Sequence, residues 1–451
     1  MAGVPRLAVW DRRRAGVLLP LSALEAPLGR GGRAFLDWLA TAGFTLWQVL
    51  PLGPTGADGS PYWVSSDEAG NPALLDPGEL PAPQGARYAR FLEENAAWLE
   101  EFALFQTLSQ AHSGAPFWRW PAALRAREAG ALAAARHQLA AELERVRHEQ
   151  YAFSVQWQQL RAHAHERGVR LCGDLPFYVA PSSLATWTQR ELFQLAPDGS
   201  PAAVGGVPPD YFSALGQMWG NPLYDWEALA RSDYRFWVQR VGAQLERLDL
   251  LRLDHFRALA AHWAVPAGAS DARAGAWRPT PGAALLTTLR RTFPDLPLIA
   301  EDLGVITPEV EELLARFQLP GMRVLQFAFD GGDNPHLPHR HVRACVVYTG
   351  THDNDTTRGW YDALEPATAL RADRYLGVPA DAQPGALIRA ALASVADLAV
   401  IPAQDLLGLP SSARLNTPGT ASGNWRWRLP PGALTPALAA HFAQLNALYG
   451  R

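Results

Sequence analysis

Residues Cys345 to Thr356 read CVVYTGTHDNDT: a short apolar run leads into a polar cluster holding one histidine, one amide and two acids. Removing two carboxylates from water costs several kcal/mol unless they have partners or a task, so this stretch belongs at the mouth of a buried strand. The same unit, an apolar run stopped by Pro, Gly or a polar group, recurs along the chain. The other runs are GVLLP from Gly16, TLWQVLPLG from Thr45, VRLCGDLP from Val169, DLLRLDHF from Asp249, LPLIAEDLG from Leu296, RVLQFAF from Arg323 and LAVIPAQD from Leu398. With CVVYTGTHD that makes eight. Their length and two-sided apolarity suit parallel strands covered on both faces.

Helical patterns fill several of the gaps. In TPEVEELLARFQLPG, Thr307 is placed to cap, Pro308 takes the first helical position and acids fill the first turn. Val310, Leu313, Leu314 and Phe317 then make one apolar stripe. RAFLDWLATAG, ahead of the second run, ends at Gly43, a C-terminal stop. Eight strands alternating with helices predict an α/β protein, a (β/α)8 TIM barrel with inserted, mainly helical subdomains. A doubly wound open sheet is the competing architecture, and the count of eight favours closure. The 451 residues read as one catalytic barrel domain with two inserted segments. One, about 54–165, is helical; the other, about 176–235, is aromatic and loop-rich.

Bulk composition removes several classes of function. Hydrophobic residues make up 48% and charged residues 19%, which describes a globular chain. The net charge is −4 and no long basic block appears, which argues against nucleic acid as a partner. There is no lysine, so Schiff-base chemistry and a Walker A phosphate loop are excluded. Cys172 and Cys345 form no C-x-x-C pair. RRRAGVLLPLSALEA, from Arg12, imitates a signal peptide, but Pro20 breaks the run and Glu25 sits where cleavage is expected. We read it as the first strand. No apolar run approaches the ~20 residues of a membrane span, and the expected location is the cytoplasm.

In a closed barrel the active site lies at the C-terminal ends of the strands. Asp174 ends the third strand, Asp254 the fourth, Glu301 the fifth and Asp353 the seventh, so four carboxylates converge on one mouth. Like charges that close raise one another's pKa. One acid kept protonated beside one kept ionised is what glycosidic bond cleavage needs. Arg252, two residues before Asp254, shares its face of the strand and is placed to hold it ionised. The plain alternative makes these acids strand-end caps and surface ion pairs. A metal reading looks to His163 and His165 in RAHAHE and to His336, His339 and His341 in HLPHRH. Residues two apart on a helix face different sides, and no three ligands share a face, so no metal is expected.

RLDHFR (Arg252 to Arg257), AEDLG (Ala300 to Gly304) and YTGTHDNDT (Tyr348 to Thr356) together resemble the amylomaltases, the 4-α-glucanotransferases also called disproportionating enzyme. The resemblance extends over nearly the whole chain in family order. It includes WQVLPLGPTG at Trp47, GVPPDYFS at Gly206, GQMWGNPLYDW at Gly216, LPGMRVLQFAF at Leu319 and RLNTPG at Arg414. It implies an α-amylase-type barrel whose insertions line a glucan cleft, without cofactor or metal, in a form lacking the N-terminal extension of some relatives. It implies retaining transfer from maltooligosaccharides and α-1,4-glucans, with hydrolysis on the same barrel as the alternative. A catalytically silent glucan-binding protein is a third reading, disfavoured by the intact acid set. The expected state is a monomer or small homo-oligomer.

By the same resemblance Asp254 is the nucleophile, Glu301 the general acid and then base, and Asp353 the residue favouring the distorted sugar. His352 and Arg252 support sugar and nucleophile. Asp174 and Asn416 match sugar-contacting positions, and Tyr62, Tyr211, Phe212 and Trp219 match aromatic positions along the glucan path. The chain departs from the family pattern at Asp58-Gly59, where the order is reversed, and at Ala258, Ala260 and Arg340. VAPSSLATW lacks the acids usual there. These departures leave the three acids intact and bear on substrate length and acceptor choice.

Overall fold

A computed structural model of the chain describes residues 8–209, 213–377, 379, 382, 384–420 and 422–451. The strands among them are β1 (Arg14–Leu18), β2 (Leu46–Gln48), β3 (Arg170–Leu175), β4 (Ala203–Val207), β5 (Gln217–Pro222) and β6 (Leu250–Leu253). They continue with β7 (Ala261–Pro266), β8 (Ala276–Pro279), β9 (Leu298–Ala300), β10 (Gly321–Val324), β11 (Cys345–Tyr348) and β12 (Leu398–Pro402). Eight of these pair in parallel in the order β10-β11-β12-β1-β2-β3-β6-β9, and each overlaps one of the eight apolar runs. At the remaining seam the Ala300 N–H donates to the Pro320 carbonyl at 2.9 Å. The fold is therefore a (β/α)8 barrel.

The seam is stitched by a side chain as much as by backbone. Asp302, next after Glu301, accepts from the Met322 N–H and from Arg323 at 3.1 Å. Gly321 makes room for it: a Cβ there would lie 2.3 Å from the Asp302 Oδ2. Strand pleating sorts the residues of each barrel strand into two layers. Leu46, Cys172, Leu250, Ile299, Met322, Val346, Leu398 and Val400 fill the barrel interior. Their neighbours Trp47, Leu171, Leu251, Leu298, Val347, Ala399 and Ile401 face the surrounding helices. Counting on by two along each strand puts Asp174, Arg252, Asp254 and Glu301 on the interior side, one layer above the apolar plug.

Two local expectations change. Leu325–Phe327 is a 3-10 turn and not strand; β10 begins earlier, at Gly321 opposite Cys345. The Gln326 N–H bends over to the Thr349 carbonyl and its side-chain amide to the Asp355 carbonyl, which ends the ladder. Thr307 occupies the cap position of the helix Pro308–Phe317, but its side chain caps no backbone N–H.

The insertions hold elements the sequence reading did not resolve. Between β2 and β3, helices Ala86–Ala111 and Ala140–Glu166 pack around Phe102, Phe105, Leu108, Leu143 and Val146. Gln150 and Gln156 reach from the second of these helices and pair both amide groups with the backbones of Gly70 and Asp76. That fixes the loop leading from β2. A second, antiparallel sheet, β5-β4-β7-β8, draws strands from both sides of β6. It was missed because AVGGV and AWRP carry little apolar pattern and β8 is exposed throughout. Among the described residues no helix is long and apolar enough to cross a membrane.

Candidate active site

Asp174 and Arg252 are register partners on β3 and β6, so their side chains leave the sheet on the same side. Arg252 Nη1 donates to both Asp174 oxygens at 2.8 and 2.7 Å, while Nη2 reaches Asp254 Oδ1 at 2.9 Å. Its Nε points at the Met322 sulfur at 3.4 Å. Arg252 is 3% exposed. A buried guanidinium shared by two carboxylates offsets their mutual repulsion, and breaking such a set leaves an uncompensated charge. Asp254 itself stays partly open to solvent just past the end of β6.

Glu301 is the first residue past β9. Its Oε2 accepts from the His255 N–H at 2.7 Å and its Oε1 from the Leu303 N–H at 3.1 Å. His255 reaches this position by adopting a left-handed backbone, φ 48° and ψ 47°, uncommon for a residue with a side chain. Burial, helped by the Asp254 charge, pushes the Glu301 carboxyl up to about 8 against the pull of Arg252. Glu301 is thus protonated at neutral pH, with Arg252-bound Asp254 on the adjacent strand. Burial also pushes the His255 imidazole down to about 4, so that ring is neutral.

Asp353 stands on the loop five residues beyond Tyr348, where β11 ends, and not at the strand end. The loop is held by its own polar residues. The Thr351 N–H and hydroxyl both donate to the Asn354 side-chain Oδ1, at 2.9 and 2.8 Å. Asp355 accepts from the Thr356 N–H and the Ser411 hydroxyl. Beneath the loop, buried Asp405 takes the Thr349 and Thr357 hydroxyls and the Thr357 N–H. Of the two acids in HDND, Asp355 therefore shapes the loop and Asp353 is presented at the mouth. Asn416 Nδ2 donates to Asp353 Oδ1 at 2.6 Å, and Arg414 holds both the Asp353 and Asn416 carbonyls. Burial opposes ionisation of Asp353, but the His352 charge and the hydrogen bonds from His352 and Asn416 outweigh it and hold the carboxyl well below its usual range.

Tyr62 joins the two halves of the mouth. Its hydroxyl lies 2.7 Å from Asp174 Oδ2 and 2.8 Å from His352 Nε2. Both contacts are satisfied when the Tyr62 hydroxyl donates to Asp174 and accepts from the His352 Nε2–H. His352 Nε2 is also 3.4 Å from Asp353 Oδ2, and the Asp353 carboxylate raises the imidazole's hold on its proton against the cost of burial. A continuous polar chain therefore runs Asp353, His352, Tyr62, Asp174, Arg252, Asp254. The Tyr62 ring stacks on His352 with centroids 5.2 Å apart, and Trp425 leans on both rings. Trp219, on β5, stands edge-on to His255 at 4.8 Å.

The structure thus brings together Asp174, Arg252, Asp254, Glu301, His352, Asp353, Asn416 and Tyr62, with Trp219 beside them. Tyr211 and Phe212 lie outside the described residues. Sequence reasoning did not single out Arg414, Trp425, Asp405 or the amides of His255 and Leu303. Side-chain type gives no signal for a backbone donor, and Asp405 sits in LAVIPAQD like any strand-end acid. The candidate metal histidines have other partners: His163 meets Asp37, His165 meets Asp249 and His341 meets Ser394. His336 accepts the Val324 N–H, and His339 meets the Tyr375 hydroxyl.

Known proteins of one family resemble the chain over nearly its whole length. A family model described as 4-alpha-glucanotransferase matches residues 19–86 and 79–435. A 4-alpha-glucanotransferase of Thermus thermophilus is 45% identical over 97% of this chain and 98% of its own length. One from a Synechocystis strain is 41% identical over 98% of each. The solved structure of an amylomaltase from Streptococcus agalactiae in complex with acarbose superposes with a TM-score of 0.93. It is 32% identical, with 98% of this chain and 100% of that one covered. With a family model spanning most of its length and relatives matched nearly end to end, the chain belongs to the 4-alpha-glucanotransferase family.

Proposed function

We propose that the enzyme is a retaining 4-α-glucanotransferase that works on α-1,4-glucans through a covalent glucanyl intermediate on Asp254. The observation that carries this is the pair at the mouths of β6 and β9: Asp254 gripped by Arg252, and half-buried Glu301 fixed by two amides, its carboxyl pushed up to about 8. The Asp254 carboxylate attacks the anomeric carbon as the glycosidic bond breaks, and the Glu301 proton passes to the leaving 4-oxygen. Esterified Asp254 carries no charge, so one cause of the raised Glu301 pKa disappears and Glu301 becomes a base. It then takes the proton from the 4-hydroxyl of an incoming glucan as that oxygen displaces Asp254. Ionised Asp353, aligned by Asn416 and His352, is suited to the sugar hydroxyls and to the positive charge of the transition state.

Asp174 and Tyr62 stiffen this site, and Trp219 flanks it; Tyr211, Phe212 and the two insertions we take as further cleft wall. The same acid pair hydrolyses if water takes the acceptor's place, and membership of the family favours transfer. The negative net charge supports a neutral glucan partner over nucleic acid or a membrane surface; we take the location to be the cytoplasm and the enzyme to be a monomer or small homo-oligomer. The test is maltotriose. Transfer yields glucose and longer dextrins with no gain in reducing ends, and the new glycosidic bonds are α-configured. A gain of one reducing end per bond cleaved means hydrolysis; a β-configured new bond refutes retention.

A further inference from the structure

The residue after Tyr62 takes no part in the network above. Trp63 is 41% exposed, and among the described residues its ring meets no other ring and its indole N–H no acceptor. The loop that carries it is tied down. Thr55 and Val64 form a bridge, the Ser65 N–H donates to the Pro54 carbonyl at 2.9 Å, and the Trp63 N–H reaches the Ser60 carbonyl at 3.3 Å. Tyr62 anchors the same loop to Asp174 and His352.

Close to the outer edge of the Trp63 indole stands Gly220 of β5, next to Trp219. Gly220 has φ +77°, and a Cβ there would lie 3.5 Å from the outer edge of the Trp63 indole. Because that residue is glycine, it has no side chain to project over the edge of the ring. Met218, two residues back on β5, is also exposed. The rim therefore runs from Asp254 through His255 and Trp219 to Gly220, Trp63 and Tyr62. A flat, fixed apolar face with a free N–H donor at its edge fits the C–H face of a pyranose with hydroxyls around it.

We propose that Trp63 is the platform of an outer glucose subsite, engaged by α-glucan chains long enough to extend from the catalytic centre to the rim. This rests on the glucanotransferase reading and adds a preference for chain length. A purely structural Trp63, bracing its loop against β5, is the competing explanation. Two measurements separate them. The first is the ratio of kcat/KM for maltoheptaose to that for maltotriose, compared among wild type, Trp63→Ala and Trp63→Phe; taken within each variant, the ratio is insensitive to partial loss of folded enzyme. We expect it to fall about five- to tenfold in Trp63→Ala and to stay within twofold of wild type in Trp63→Phe.

The second is calorimetric binding of maltoheptaose to Asp254→Asn with and without Trp63→Ala, where Kd should rise by the same five- to tenfold. An unchanged ratio with unchanged Kd, or equal losses on both substrates, overturns the subsite. Because the binding measurement needs no turnover, an enzyme that only hydrolyses maltotriose would refute the transferase reading while leaving Trp63 to be judged by Kd.

Discussion

The sharpest test of the acid pair is the pH dependence of the first chemical step. A carboxyl at about 8 is about nine-tenths protonated at pH 7, whereas one at its ordinary 4.5 is protonated in roughly one molecule in 300. The acid must carry a proton to protonate the leaving oxygen, so activity is lost as pH rises. We expect kcat/KM for maltotriose to hold a plateau through neutrality, bend near pH 8 and lie about tenfold below the plateau at pH 9. The residue responsible is identified with Glu301→Gln and maltosyl fluoride, a donor whose leaving group needs no proton. In that variant kcat/KM for the fluoride should stay substantial and show no bend near pH 8, while maltotriose turnover collapses. The assay is fluoride release against glucose release across pH 6 to 10. An alkaline bend that persists in Glu301→Gln, or a wild-type plateau that continues to pH 9.5, refutes the assignment of the raised pKa to Glu301.

Tyr62→Phe removes the one hydroxyl that touches both Asp174 and His352. It should cost about 1.5–3 kcal/mol in denaturant unfolding and lower kcat roughly ten- to a hundredfold through misplacement of both partners; wild-type values in both would show that the polar chain does not organise the mouth. Asp353→Asn should depress kcat about a hundredfold or more with KM within about threefold, because the lost contacts strengthen in the transition state. A change in KM alone makes Asp353 a ground-state binder. Gly321→Ala drives a methyl into Asp302 at the barrel seam. It should destabilise by about 1–3 kcal/mol and reduce activity as well, since Asp302 adjoins Glu301. A stable, fully active variant would show that the seam yields without cost.

Much of this was legible in the chain itself. Short runs such as LAVI, apolar at every position, suit strands covered on both sides, and eight of them separated by helix-length gaps leave few architectures. Period-two pleating then fixes which side Arg252 and Asp254 share, because that depends on spacing within a single strand. Tertiary structure decided whatever depends on residues distant in sequence. Arg252 bridges Asp174 and Asp254 because β3 and β6 are neighbours in register, although 78 residues separate Arg252 from Asp174. The raised pKa of Glu301 comes from burial, a property of the assembled mouth, and its two fixing bonds come from backbone amides that carry no sequence signal. The second sheet escaped because half-exposed, glycine-containing strands lack the apolar pattern that marks a buried one. In the HDND stretch, composition offers two equal acids. Packing over Asp405 and Ser411 makes Asp355 part of the loop and leaves Asp353 at the mouth, since the tasks of two identical side chains differ only by the partners the fold brings to each.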